Sequence, residues 1–155
     1  MVRSMAILAA TLLAATCGFA AGARANDRVS YFPVKSGSGP HDVAAAADGK
    51  GWYSGQRNGT LGVLDPKTGK DESIPIGSGS SPHGVIIGPD GSPWLTDSGL
   101  NANVRYDLKT KKFDHYALPP QPYANLNTGA FDKDGVYWFT GQSGVHGYVL
   151  SLIHI

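Results

Sequence analysis

An all-β fold built from propeller blades is predicted by three features of the sequence: a repeat of about 42 residues, evenly spaced Asp-Gly turns and no convincing helical periodicity. The repeats begin at Ser38 ("SGPHDVAAAADGKGWYSG"), at Ser80 ("SSPHGVIIGPDGSPWLTD") and at Tyr123. Each contains four short candidate strands in about 40 to 45 residues, the size of one propeller blade. A β-sandwich would not repeat at a fixed period, and a solenoid coil is normally shorter. Four residue pairs share the 42-residue offset: His41 and His83, Gly49 and Gly91, Trp52 and Trp94, and Asp65 and Asp107.

Each repeat is expected to run through the same elements. The first strand follows the Pro-His pair (residues 43–46 and 85–87), an Asp-Gly turn ends it, and the second strand carries a tryptophan. A loop rich in glycine and asparagine leads to a third strand, and "PKTGK" or "LKTKK" turns the chain into a fourth. Because the tryptophans recur in all three repeats, we expect them to form the blade core: Trp52, Trp94 and Trp138.

Residues 1–25 have the features of a secretory signal peptide. Arg3 is followed by an apolar stretch, Met5–Ala15, and Ala23–Ala25 matches the A-x-A cleavage pattern. We therefore predict cleavage before Asn26 and a periplasmic or secreted protein with no membrane attachment. Cys17 is the only cysteine and lies in this segment, so the mature chain has no thiols for disulfides or metal ligation.

The repeats divide residues 26–150 into three predicted blades, at 38–79, 80–122 and 123–150. A propeller closes its ring with about four to eight blades, so we expect the parent to be larger and, at full length, a monomer. The last residues, 151–155 ("SLIHI"), match neither earlier repeat and are interpreted as a doubtful tail, consistent with truncation.

The charge composition limits the classes of binding partner that we expect. The formal net charge is +1, and no basic cluster with interleaved aromatic residues is present. These properties argue against binding to nucleic acid or to anionic membranes.

A candidate catalytic site lies at the open end of the second hairpin. His83 lies seven residues before Asp90 and Asp97 lies seven after it. Residues placed symmetrically about a hairpin turn face each other, so we expect the two side chains to meet, with His41 of the neighbouring blade facing the same channel mouth. Such a group suits general acid–base catalysis, and the carboxylate could orient an imidazole or bind Mg²⁺.

A structural interpretation of the Pro-His pairs competes with this one, since the ring could simply hold a turn. The third repeat has Asn127 in the histidine position, which weakens that interpretation. Of the remaining histidines, His115 is expected at the surface, and His146 and His154 are assigned no role. Three further residues could reach a ligand near the mouth: Tyr53, Gln56 and Arg57.

The segment "SPHGVIIGPDGSPWLTDSGLNANVRYDLKTKKFDHYALP" resembles the repeats of the streptogramin B lyase (virginiamycin B lyase) family, which read P-x-x-I/V, G-P-D-G-x-x-W-F-T-E, N-x-I-G-R-I-D-P-x-T-G and F-x-L-P. The resemblance covers residues 36–150. It implies a seven-bladed, Mg²⁺-dependent lyase that opens the ester of cyclic depsipeptide antibiotics by elimination and so confers antibiotic resistance. It also implies catalytic roles for His41, His83 and Asp97, with Asp97 as a metal ligand in the place of a longer glutamate.

Two other functions remain open. A non-catalytic exported propeller would present its channel mouth to a peptide, a sugar or a protein. A hydrolase resembling the gluconolactonase propellers would need several acidic and asparagine metal ligands inside the channel, and the sequence does not supply a recognisable set.

Overall fold

The computed structural model describes residues 29–150. All strands described below lie within the unit that begins at Phe32. The predicted signal peptide at 1–25 and the doubtful tail at 151–155 lie outside the described residues. Within residues 29–150 no helix is present, and accordingly none is long and apolar enough to cross a bilayer.

In the described part of the chain, eleven strands form three antiparallel sheets, which confirms the predicted fold class. In the first two sheets four consecutive strands pair in chain order, while the third has three described strands. The strands of the first sheet are β1 (Pro40–Ala45), β2 (Gly51–Gly55), β3 (Thr60–Asp65) and β4 (Lys70–Pro75). Those of the second are β5 (Pro82–Ile87), β6 (Pro93–Asp97), β7 (Ala102–Asp107) and β8 (Lys112–Ala117). Those of the third are β9 (Leu126–Phe131), β10 (Tyr137–Gly141) and β11 (Val145–Val149).

The predicted Asp-Gly turns join the first two strands of every sheet. In the first turn the amide of Gly49 donates to the carbonyl of Ala46 at 2.9 Å, and the same bond recurs in the other two sheets. The glycines have φ between +79° and +86°, a left-handed conformation that other residues adopt only at a cost. The turn chemistry therefore sets where each first strand ends.

The sheets stack face to face, with apolar residues between them. Trp52 and Leu61 of the first sheet pack against Val85 and Leu95 of the second. Trp94 packs in the same way against the third sheet and stacks on Tyr137 with ring centroids 4.9 Å apart. The first strands of the sheets, β1, β5 and β9, lie side by side and are called the inner strands here.

The expectation that all three tryptophans are core residues is wrong for Trp138. Trp52 and Trp94 are 7% and 2% exposed, but Trp138 is 45% exposed. Each tryptophan faces the sheet that follows its own, and within residues 29–150 no strand packs on the far face of the third sheet. The Trp138 indole donates to Asp132 at 2.8 Å and lies against Tyr148.

A hydroxyl group near the end of the second strand connects the first sheet to the second and the second sheet to the third. Thr96 Oγ1 accepts a bond from the amide of Gly84 at 2.9 Å and donates to the carbonyl of Asn127, on the next sheet, at 2.6 Å. Ser54 makes the equivalent bonds to Asp42 and His83. One side chain thus satisfies the unpaired amide of its own inner strand and fixes the position of the next inner strand.

Candidate functional site

The two predicted histidines meet at the start of the inner strands. His41 is the second residue of β1 and is exposed, while His83 is the second residue of β5 and is partly buried. Their ring centroids are 3.8 Å apart, with the planes tilted by 46°. The repeat places both residues at the same point of adjacent strands, so the two imidazoles lie together at one end of the inner strands, which we call the mouth.

The His83 ring is held in one tautomer. Its Nδ1 lies 3.1 Å from the carbonyl oxygen of Asn127 on β9. A carbonyl only accepts hydrogen bonds, so Nδ1 carries the proton and Nε2 of the neutral ring keeps its lone pair. Burial, followed by the neighbouring His41, lowers the pKa of His83 below its ordinary value, so the ring is neutral near pH 7. A neutral imidazole with an unprotonated Nε2 is chemically able to accept a proton.

The predicted meeting of His83 and Asp97 is wrong. The hairpin has the expected register near its turn, where Val85 pairs with Leu95, but a bulge follows, and Pro82 rather than His83 pairs with Asp97. A register shift of one residue moves a side chain to the opposite face of the sheet. No ion pair of 4 Å or less joins these two side chains.

Asp97 instead holds the loops around it. Its carboxylate is 0% exposed and accepts hydrogen bonds from the Ser80 hydroxyl, from the Ser81 amide at 2.9 Å and from the Leu100 amide at 3.0 Å. Both oxygens are therefore occupied by protein donors. The aspartate ties the loop before β5 to the loop after β6.

This arrangement does not suit Asp97 as a ligand for Mg²⁺. A ligand to this cation needs an oxygen that faces a hydrated site, whereas the Asp97 oxygens face backbone amides and a hydroxyl. Among residues 29–150 no group of three or more His, Cys, Asp or Glu side chains is arranged to hold a metal ion.

Comparison between the repeats supports a structural role for this aspartate. Asp97 pairs with the small Ala102, whereas the equivalent Gly55 pairs with Thr60. A side chain added at Gly55 would meet Thr60 Oγ1 at 2.3 Å, so the threonine fills the corresponding space in the first sheet. In the second sheet the larger residue of the pair is on β6 (Asp97), and in the first sheet it is on β3 (Thr60). The pair fills a similar volume in both sheets, as expected for a packing position.

Asp42 is a residue of the mouth that the sequence analysis missed. It follows His41 directly, and its Oδ2 accepts from the amide of Val85 on the adjacent inner strand at 3.2 Å. Its charge also acts to raise the pKa of His83. The signal was available, because the first repeat reads Pro-His-Asp where the second reads Pro-His-Gly. Asp42 is therefore the carboxylate that the structure places beside the histidines.

The structure also places Tyr53 and the remaining histidines. Tyr53 is buried and its hydroxyl donates to Asp71 on β4 at 2.9 Å, so it points away from the inner strands and does not line the mouth. Burial also raises the pKa of Tyr53 to about 12, which keeps it protonated. His115 is exposed on β8, as expected. His146 lies on β11, and His154 lies outside the described residues.

Comparisons with known proteins bear on the fold. No protein-family model matches the chain, and no curated protein matches it in sequence. Among solved structures, virginiamycin B lyase from Staphylococcus aureus matches with a TM-score of 0.63 and 20% identity over 74% of this chain and 42% of that chain. A catalytically inactive form of that enzyme with quinupristin matches with a TM-score of 0.65 and 20% identity, over 80% of this chain and 45% of that one.

Proteins of another kind match as well. The extracellular domain of a hybrid two-component system from Bacteroides thetaiotaomicron matches with a TM-score of 0.61 and 14% identity, over 75% of this chain and 16% of that chain. The chain thus spans less than half the length of the lyase chains that it matches. Since all these identities are low, the likeness concerns architecture, and it agrees with the antiparallel sheets in assigning a β-propeller fold to the chain.

Proposed function

We propose that the chain belongs to a lyase-like propeller whose mouth removes an acidic C–H proton from a cyclic depsipeptide, with His83 as the base. The observation that carries this proposal is the geometry of the His83 ring: its Nδ1 lies 3.1 Å from the carbonyl oxygen of Asn127, and its centroid lies 3.8 Å from that of His41. Burial also lowers its pKa, which favours the neutral ring. The structural likeness to virginiamycin B lyase at 20% identity supports the choice of reaction.

The chemistry would proceed as an elimination. His83 Nε2 takes the proton from a carbon next to a carbonyl group, and the electron pair left behind forms a carbon–carbon double bond. The C–O bond of the ester on the next carbon breaks, and the carboxylate leaves. His41, the more exposed of the pair, would give a proton or a hydrogen bond to a developing oxyanion. All atoms of the substrate remain in one linear product.

A mass measurement tests this reaction. A type B streptogramin incubated with the protein should give a linear product of unchanged mass and altered retention, whereas hydrolysis would add one water. His83→Ala should abolish the product, and His115→Ala, which removes an exposed histidine outside the mouth, should leave the rate unchanged. Turnover that survives in His83→Ala contradicts the proposal. The Mg²⁺ requirement implied by the resemblance stays a prediction, measured by adding EDTA to the same assay.

A second function is favoured by a specific observation, the burial of Asp97. If the mouth lacks a usable carboxylate at that position, it can bind a ligand without converting it, as a propeller module for a peptide, a sugar or a protein partner. The structural likeness to extracellular propeller domains supports this alternative. It predicts that the streptogramin gives no product. It also predicts that the ligand binds saturably at the mouth and that His41→Ala weakens this binding.

Export is part of both proposals. Several similar structures are extracellular domains, which agrees with a periplasmic or secreted location for this chain. Cleavage before Asn26 remains a prediction from the sequence. N-terminal sequencing of protein recovered from the periplasm or the medium tests it.

A further inference from the structure

A cleft of about 920 Å³ opens between the first and second sheets. It lies at the turn end of β1 and β5, away from the histidines at the mouth. Its walls are largely apolar and include Trp52, Ile74 and Tyr106, and its rim carries the turns at Asp48 and Gly91. The apolar layer between these sheets is therefore left open at one end.

The second sheet shows what occupies the equivalent place one repeat later. Arg105 lies on β7 between Trp94 and Asp114 of the neighbouring strands. Its guanidinium forms ion pairs with Asp90 at 2.6 Å, Asp114 at 3.0 Å and Asp107 at 3.3 Å. One partly buried cation thus satisfies three carboxylates from three segments of the blade.

The first sheet has the same three carboxylates but not the arginine. Asp48, Asp65 and Glu72 lie 42 residues before the three aspartates and line the cleft. The position of Arg105 is taken by Val63, which likewise pairs with a tryptophan and an acidic residue across the strands. Valine is too short to reach the carboxylates. The space that the arginine fills in the second blade is therefore open in the first.

Lysines also line the cleft, and they would favour an anionic ligand rather than a cationic one. Lys50 Nζ is 2.8 Å from Asp48, so this cation is already paired. Lys70 and Lys111 are exposed, so water and salt screen their charges. Lys111 Nζ lies 6.0 Å from the centre of the Tyr106 ring. If these two lysines dominated, the cleft would prefer an anion.

We propose that the cleft binds the arginine side chain of a peptide, with its guanidinium in the place that Arg105 takes in the second blade. Within residues 29–150 neither Asp65 nor Glu72 forms an ion pair of 4 Å or less. Asp65 Oδ1 accepts from the amide of Lys67 at 2.9 Å. Its counterpart Asp107 accepts the equivalent amide bond through Oδ1 and still binds Arg105 through Oδ2, so a carboxylate at this position can receive a cation. A planar, forked cation matches paired carboxylates better than an ammonium group does. The aliphatic stem of the arginine and its apolar neighbours would lie against Trp52 and Val63. This site is independent of the histidines and of the reaction proposed for them.

An NMR titration with benzamidine, a small mimic of an arginine head group with an apolar ring, tests the proposal. Benzamidine added to the ¹⁵N-labelled full chain should shift the Trp52 indole and Lys50 amide signals in a saturable way. Benzamide has the same shape without the charge and should bind at least about tenfold more weakly, as expected for a loss of charge-assisted hydrogen bonds. No shift with benzamidine, or tighter binding of benzoate, overturns the proposal.

Variants at the open position make the test specific. Val63→Arg supplies the guanidinium found in the second repeat and should reduce benzamidine affinity by about tenfold or more. Val63→Leu adds size without charge and is the matched control, which should keep most of the affinity. Glu72→Gln, an exposed substitution that should not disturb folding, should weaken binding by about threefold to tenfold. Unchanged affinity in both Val63→Arg and Glu72→Gln overturns the proposal, and His83→Ala should have no effect.

Discussion

Replacing Asp97 by alanine removes the acceptor of three hydrogen bonds from a side chain that is 0% exposed. Hydrogen bonds to a charged group contribute about 1.5–3 kcal/mol each, and these three share one carboxylate, so their sum overstates the effect. We expect Asp97→Ala to lower the free energy of unfolding by about 4 kcal/mol, which is a large part of the stability of a small domain. Asp97→Asn should cost only about 1–2 kcal/mol, because its amide oxygen can still accept from Ser81 and Leu100 and its NH₂ group can donate to Ser80.

Urea unfolding followed by tryptophan fluorescence and far-UV circular dichroism measures this difference. Glu72→Ala, which removes an exposed carboxylate without an ion pair in residues 29–150, is the control and should change stability by less than about 0.5 kcal/mol. The structural reasoning is refuted if Asp97→Ala unfolds at the urea concentration of the natural protein. If that variant also loses turnover while remaining folded, Asp97 serves the chemistry, as the family resemblance implies.

Four further predictions follow from single contacts. Thr96→Val should lower stability by about 2–3 kcal/mol, because two backbone groups lose their hydrogen-bond partner. Thr140→Val is the control: its hydroxyl donates to the carbonyl of Thr128 over a long 3.4 Å, so its loss should cost less than about 0.5 kcal/mol in the same urea assay. Gly62→Ala should destabilise the fold by about 2 kcal/mol or more, since its methyl group would lie 1.9 Å from a tyrosine ring atom, and a neutral result in thermal unfolding would contradict this. Because the pKa of His83 is lowered from 6.5 in the folded state, the unfolded chain binds the extra proton first, so stability should fall as the pH drops below about 6.5 and level off below the folded pKa. Asp42→Asn removes a charge that raises this pKa and should lower it further, as an NMR titration of the ring would show.

The fold could be predicted because its signals are local and repeated. The Asp-Gly pairs take the left-handed glycine conformation that a tight turn needs, and this requirement does not depend on the rest of the chain. The 42-residue offset then places Trp52 and Trp94 in equivalent layers. Trp138 is different because burial depends on what lies across from a residue, which the pattern of one strand does not contain.

The site was only partly predictable for a related reason. His41 and His83 were placed together correctly, since equal positions in adjacent repeats must be neighbours. Their relation to Asp97 required counting residues through a hairpin, and a bulge between Pro82 and Val85 shifts that count by one. Such a bulge occurs in all three inner strands, yet no residue type in the sequence marks it before the structure is seen.

The differences between repeats are more informative about function than their similarities. The hydroxyl groups of Ser54 and Thr96 recur because every sheet must be joined to the next, and Gly55 and Asp97 exchange volume with their strand partners. Such changes compensate within the fold. The histidine pair and Val63 have no internal compensation: two imidazoles are brought together where the third repeat has an asparagine, and a valine leaves carboxylates without the cation that the next blade provides. Where the repeats differ and no neighbouring residue compensates, polar or charged groups are left available to a ligand. Both proposed sites lie at such positions.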